Sequence, residues 1–291
     1  MADSAGRPVA ALVVNAFVWG VSWWPLRQLE ARGLHPLWTT VIVYALSAAL
    51  LVVARPRAPA RLARTPALWV LVLASGTTNA AFNWAVVAGD VVRVVLLFYL
   101  MPLWAVLLAW LLLGERPTRR AAARIALALG GAALVLGPGA AGGSGAVRLA
   151  DMLGLVGGFA FALNNVMLRR LAAHDGADRA LAMFAGGVLV AGMLAAALGA
   201  RGTLPWPPPV APGWTLGAAL LGLLFLASNL ALQYGAARLP AHVTAVVMLS
   251  EVVFASVSAL ALGAGVLTAP LAAGAALIVG AALLATLDPG R

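Results

Sequence analysis

TTNAAFNWA, residues 77–85, sets two asparagines four positions apart inside an apolar run that extends over 66–88. A helix of ~20 apolar residues is long enough to cross a bilayer core. Inside hydrocarbon a side-chain amide must find a partner or face a polar space. A second stretch, ASNLALQYG at 227–235, repeats the arrangement 150 positions later. There Asn229 corresponds to Asn79, Gln233 to Asn83 and Tyr234 to Trp84. Residues four apart share one face of a helix, so each amide pair forms a short polar stripe.

Around these stretches lie ten apolar runs, at about 8–29, 36–54, 66–88, 91–113, 118–137, 150–171, 179–200, 213–236, 239–262 and 267–287. The chain has 291 residues, of which 63% are hydrophobic and 10% charged. Soluble domains carry about 25% charged residues. A soluble helical bundle would show polar stripes on most of its helices, and most of these runs show none. The alternation of a membrane barrel is also missing. The reading is an all-α integral membrane protein with ten transmembrane helices. The first run is too long for a signal-peptide core and is read as an uncleaved first helix.

The formal net charge is +10, and every basic residue is an arginine. Most of them flank the apolar runs, which is a topology signal and not a nucleic-acid stripe. With both termini cytoplasmic, 14 arginines fall inside and five outside (Arg27, Arg32, Arg93, Arg148 and Arg201). Cysteine is absent, which removes disulfides and thiolate chemistry. No phosphate loop, HExxH motif or metal-ligand cluster is present, so no enzyme activity, cofactor or metal is expected.

The offset of 150 extends beyond the amides. Thr78 matches Ser228, Trp104 matches Phe254, Ala105 matches Ala255 and Thr118 matches Thr268. Five helices per half is an odd number, so the second half must enter the membrane inverted. The expected organisation is one repeat over 1–140 and an inverted one over 141–291. Inverted repeats are a construction of many secondary transporters, with a site near the midplane between halves.

The candidate pathway residues follow from polar or aromatic side chains deep in the runs. Helix 1 aligns Asn15, Trp19, Ser22 and Trp23 on one face, and helix 6 carries Phe161, Asn164 and Asn165. Helix 3 supplies Asn79 and Asn83, helix 8 supplies Asn229 and Gln233, and Tyr99 lies in helix 4. Amides can hold the polar ends of a small zwitterion while rings enclose its apolar part. The same amides can equally bond helix to helix. Tryptophans nearer the run ends, such as Trp38, Trp84, Trp206 and Trp214, read as packing or an interfacial belt. Glu251 lies about twelve residues into helix 9. An intramembrane acid is a functional candidate, here for an ammonium group or a coupling proton. A structural role in protonated form is the alternative. His242, at the start of helix 9, reads as a bystander. Pro102 falls inside helix 4, where a kink and hinge are expected. Gly154 and Gly158 have the spacing of close helix packing.

PLWAVLLAWLLLGERPT, residues 102–118, resembles the end of the first repeat in drug/metabolite transporters of the ten-helix exporter type. EVVFA at 251–255 resembles that family's Glu-Pro-Val-Phe-Ala stretch, and Trp19-Gly20 in helix 1 also fits. Within the family the chain looks most like bacterial aromatic amino acid exporters. It departs at Val252, where proline is usual, and at Ala264-Gly265, which leaves Glu115 without a counterpart. The resemblance implies a monomer in a bacterial inner membrane with a central cavity lined by helices 1, 3, 4, 6, 8 and 9. It implies export of amino acids by alternating access, with protons as a candidate coupling ion and the lipid bilayer as the other partner. Export of drugs or other metabolites is the alternative cargo, and a non-transporting scaffold or receptor is the alternative class.

Overall fold

The computed structural model describes residues 3–113, 119–136, 147–171, 173–236, 238, 247–248 and 250–286. The described residues form helices joined by short loops. In chain order these are α1 (Asp3–Val21), α2 (Trp23–Glu30), α3 (Pro36–Ala54), α4 (Ala58–Arg64), α5 (Pro66–Ala88), α6 (Val91–Phe98) and α7 (Met101–Leu113). There follow α8 (Arg119–Leu136), α9 (Leu149–Arg170), α10 (Gly176–Ala200), α11 (Pro212–Ala236), α12 (Ser250–Ala261) and α13 (Ala269–Thr286). No strand occurs among the described residues.

Seven helical segments are long and apolar enough to cross a membrane, by length and composition. They are Gly6–Glu30, Pro36–Ala54, Pro66–Ala88, Val91–Leu112, Leu149–Leu168, Gly176–Ala200 and Pro212–Leu232. Shorter apolar helices at Ile125–Val135, Ser250–Ala261 and Ala269–Ala281 fall where the sequence places helices 5, 9 and 10. Two sequence-expected helices are interrupted. The first breaks at Ser22, whose hydroxyl donates to the Trp19 carbonyl at 2.8 Å. The fourth breaks at Tyr99 and Leu100, between α6 and α7. Pro102 is thus the second residue of α7, and the interruption lies in the turn before it. A proline lacks the N–H that would bond four residues back, so the Phe98 carbonyl is released there.

The helices approach closely at small residues, as membrane helices do in the absence of a hydrophobic drive between them. A Cβ on Gly76 of α5 would strike the carbonyl of Gly186 on α10. One on Gly187 would strike the ring of Tyr44 on α3. Gly158 of α9 faces the released Phe98 carbonyl, and a Cβ there would sit 2.5 Å from it. Gly131 of α8 and Gly274 of α13 face each other in the same manner. The strongest packing is α5 with α9 and α10, α10 with α3, α8 with α13, and α1 with α11 and α12.

Candidate functional site

Near the middle of the long helices, rings from seven of them meet. Trp19 of α1 stacks on Phe225 of α11, with centroids 4.5 Å apart and planes 17° apart. Its edge meets Phe82 of α5 at 6.4 Å. Phe82 meets Phe98, the last residue of α6, at 4.9 Å. Phe98 in turn meets Phe161 of α9 at 5.4 Å. Tyr44 of α3 joins through Phe225 at 6.2 Å and Phe184 of α10 at 5.5 Å. Such pairs add about 0.5–1.5 kcal/mol each beyond their buried area. Trp19 and Phe161 are legible from sequence as candidates. Phe82, Phe98, Phe225 and Tyr44 are not, because nothing in an all-apolar helix marks which ring faces inward.

A carboxyl group borders this cluster. Glu251, in the first turn of α12, is buried, and its Oε2 lies 3.1 Å from the hydroxyl of Tyr99. The same hydroxyl lies 3.1 Å from the Met248 carbonyl. Tyr99 follows the clustered Phe98 in the break between α6 and α7. On the other side Gly20, next to Trp19, lets α1 rest on the backbone of α12. A Cβ at Gly20 would lie 2.9 Å from the Glu251 carbonyl. The acid therefore sits between α1 and the α6–α7 break, beside the rings.

The amides surround the cluster. Asn15, one turn before Trp19, donates to the carbonyl and hydroxyl of Ser228 at 2.9 and 2.7 Å. Asn79 accepts from the Tyr44 hydroxyl at 2.5 Å and donates to the Ser75 carbonyl at 2.8 Å. Asn83, next to Phe82, donates to the Thr40 hydroxyl at 2.9 Å. Asn164 is buried and donates to exposed Asn165 at 3.4 Å. The carbonyl oxygens of Asn15, Asn83 and Asn164 are buried and have no hydrogen-bond partner among the described residues. Asn229 is half-buried on α11, beside the Ser228 that binds Asn15. Trp23 is buried and donates to the Ser258 hydroxyl at 3.0 Å. The side chains of Gln233 and Pro102, and all of Glu115 and His242, lie outside the described residues.

One end of the bundle is tied by charge. Arg27 of α2 donates to the Val86 carbonyl at 3.0 Å and to the Gly89 carbonyl at 2.5 Å, at the C-terminus of α5. Asp90 caps α6 by accepting from the Arg93 N–H at 2.9 Å, and it accepts from the Val266 N–H at 3.2 Å. Arg93 holds Asp151 of α9 in a two-pronged bond of 2.7 and 2.8 Å, with both side chains buried. These partners are far apart in sequence and leave no local signal. At α4, Arg61 grips Asp178 at 2.6 and 2.7 Å. That guanidinium is held above its usual basicity, first by this hydrogen bond. An open surface cleft lined by Ala54, Arg55, Pro56, Arg57, Arg61 and Asp175 lies beside it and shares no residue with the ring cluster.

Among the described residues, helices long and apolar enough to cross a membrane surround a ring cluster bordered by amides and a buried acid, as in a multi-pass membrane protein. Residues 7–137 match the EamA-like transporter family. The match supports a relationship to that family, within the drug/metabolite transporter superfamily, and to membrane transport with the substrate left open. No curated protein matches the chain. A solved structure described as "Crystal structure of protein" is similar over 97% of this chain and 97% of its own, with a TM-score of 0.59 and 22% identity. It speaks for the fold alone.

Proposed function

We propose that the protein is a secondary transporter that exports amino acids, aromatic and other apolar ones in particular, by alternating access across a bacterial inner membrane. In this reading ten helices cross the membrane as two inverted five-helix repeats, with both termini in the cytoplasm. The observation that carries it is the buried Glu251–Tyr99 pair set against the ring cluster, where both sequence halves contribute side chains. An apolar enclosure with a few convergent polar groups is the usual make-up of a small-molecule site.

The packing pattern supports the two-fold repeat, and in this reading the odd number of helices per half makes it an inverted one. When the crossing helices are numbered 1 to 10, helix 3 packs on 6, as helix 8 packs on 1. Helix 7 packs on 3, as helix 2 packs on 8. Helix 4 packs on 6, as helix 9 packs on 1. Each contact becomes its mate when first-half and second-half numbers are exchanged.

Glu251 is placed to carry a coupling proton. The Tyr99 hydroxyl has one proton and two acceptors within reach, so a carboxyl group that gains a proton changes the bonding of the α6–α7 break. Drugs or other metabolites with an aromatic body are the rival cargo. A competition panel of amino acids and drugs against labelled phenylalanine in proteoliposomes separates the two. With a pH gradient imposed, wild-type flux is expected to follow the gradient and Glu251→Gln flux is not. Equal pH dependence in both removes the proton role. Absence of flux for every solute returns the chain to the scaffold class.

A further inference from the structure

The amides around the rings are asymmetric in what they have left to offer. Every amide N–H2 of Asn15, Asn79, Asn83 and Asn164 already donates. Three of the four carbonyl oxygens have no partner, at Asn15, Asn83 and Asn164. Turning the amides over does not reverse this at Asn15 or Asn83. The Ser228 carbonyl can only accept, so it fixes Asn15. The Thr40 hydroxyl gives its proton to the Pro36 carbonyl at 2.8 Å, so it can only accept from Asn83. A buried acceptor without a donor costs about 1–3 kcal/mol. Such oxygens on the helices that carry Trp19, Phe82 and Phe161 point to a donor that no described residue supplies.

The orphaned oxygens lie with the rings. Asn15 is one turn from Trp19 on the same face of α1, Asn83 adjoins Phe82, and Asn164 is one turn from Phe161 on the same face of α9. Glu251 adds a further acceptor. Among the described residues, no buried side-chain nitrogen beside these rings lacks a partner. The chain has no lysine, and Arg27 and Arg93 are bound to backbone carbonyls and to Asp151. Two buried donors also lack partners, Trp104 Nε1 and Arg179 Nε. The Trp104 ring packs on Phe159, on a different face of α9 from Phe161 and Asn164, and Arg179 lies near the start of α10.

We propose that this site recognises its cargo by an ammonium group on an aromatic or apolar body, and does not read a carboxylate. An ammonium group brings three N–H donors and no acceptor, which complements orphaned carbonyl oxygens. It is also attracted by the faces of aromatic rings. The inference rests on the transport reading for the identity of the site, but binding tests it separately from flux.

The test measures thermal stabilisation of the purified full chain in detergent by three probes: 2-phenylethylamine, phenylalanine and 3-phenylpropionate. The amine and the amino acid are expected to stabilise the protein, and the carboxylate alone is not. Asn164→Leu should weaken amine binding about tenfold, and Asn164→Asp should strengthen it about tenfold. Asn164→Leu loses only the 3.4 Å bond to Asn165, whereas Asn164→Asp buries a carboxyl group, so each variant is compared with its own unfolding temperature without probe. Stabilisation by phenylpropionate equal to that by the amine overturns the proposal. So does a response to phenylalanine without one to the amine, or no response to any probe. Amine binding without flux of any solute in proteoliposomes would instead overturn the transport reading and leave ammonium recognition standing.

Discussion

Asn79 is fully bonded within the helices, while Asn83, one turn later, keeps a buried carbonyl oxygen unpartnered. The sequence marks both as costly and cannot tell which is which, since the difference lies in Tyr44 and Thr40 on another helix. His35 shows a residue whose partner is local. It caps α3, its Nδ1 accepting from the Leu37 N–H at 3.2 Å, with its ring 5.3 Å from that of Trp84. Burial pushes the imidazole below its usual basicity. Only the neutral ring has a lone pair for the cap. Its contribution is therefore present above the unfolded value of about 6.5 and is lost as pH falls through the lower folded value. The thermal unfolding temperature in detergent should drop on acidification through this range, with about 1 kcal/mol at stake. His35→Asn keeps a cap without a titrating group and should flatten that part of the profile. Parallel profiles for the two proteins would exclude this role for His35.

Helices were the most legible level. Seven of the apolar runs coincide with helices long enough to cross a membrane, because the demand of ~20 apolar residues is local to each run. The breaks were less legible. Proline marks trouble in helix 4, but the interruption lies one turn earlier, at Tyr99 and Leu100, where the missing N–H is felt. The released Phe98 carbonyl is accommodated because Gly158 of α9 has no side chain. Gly158→Val should force α9 away from α6 and lower stability by about 1–3 kcal/mol, read as a shift in detergent unfolding temperature. Gly130 of α8 has open space where a Cβ would stand, so Gly130→Ala should be neutral or mildly stabilising. Similar effects at both positions would argue that close approach at Gly158 is not what sets the α6–α9 packing.

Across the whole molecule, the register of one helix against the next escaped the sequence. Helices that are apolar all round carry no stripe to show which face turns inward, so the meeting of Trp19, Phe82 and Phe225 could not be foreseen. The charged end escaped for a different reason: Arg27 and Arg93 read as topology signals, and their partners are backbone carbonyls and a distant Asp151. Arg27 joins the first helix to the end of α5, so its loss should let that end open more often. The chain has no cysteine, so a single Ser258→Cys reports access to the space beside Trp23. Adding Arg27→Ala should raise its labelling by a membrane-impermeant maleimide severalfold. An unchanged rate would deny Arg27 any hold on that end.

The same tie bears on leakage. Arg27, the Gly89 carbonyl, Asp90 and the Val266 N–H form a nearly continuous circuit through the first helix, the start of α6 and the loop before α13. A circuit of this kind does not fray one bond at a time, because each remaining link holds its neighbours in register. That end then opens seldom and all at once. Under the proposed alternating access, a toggle of this kind would slow turnover while leaving ions no half-open passage through which to discharge a membrane voltage.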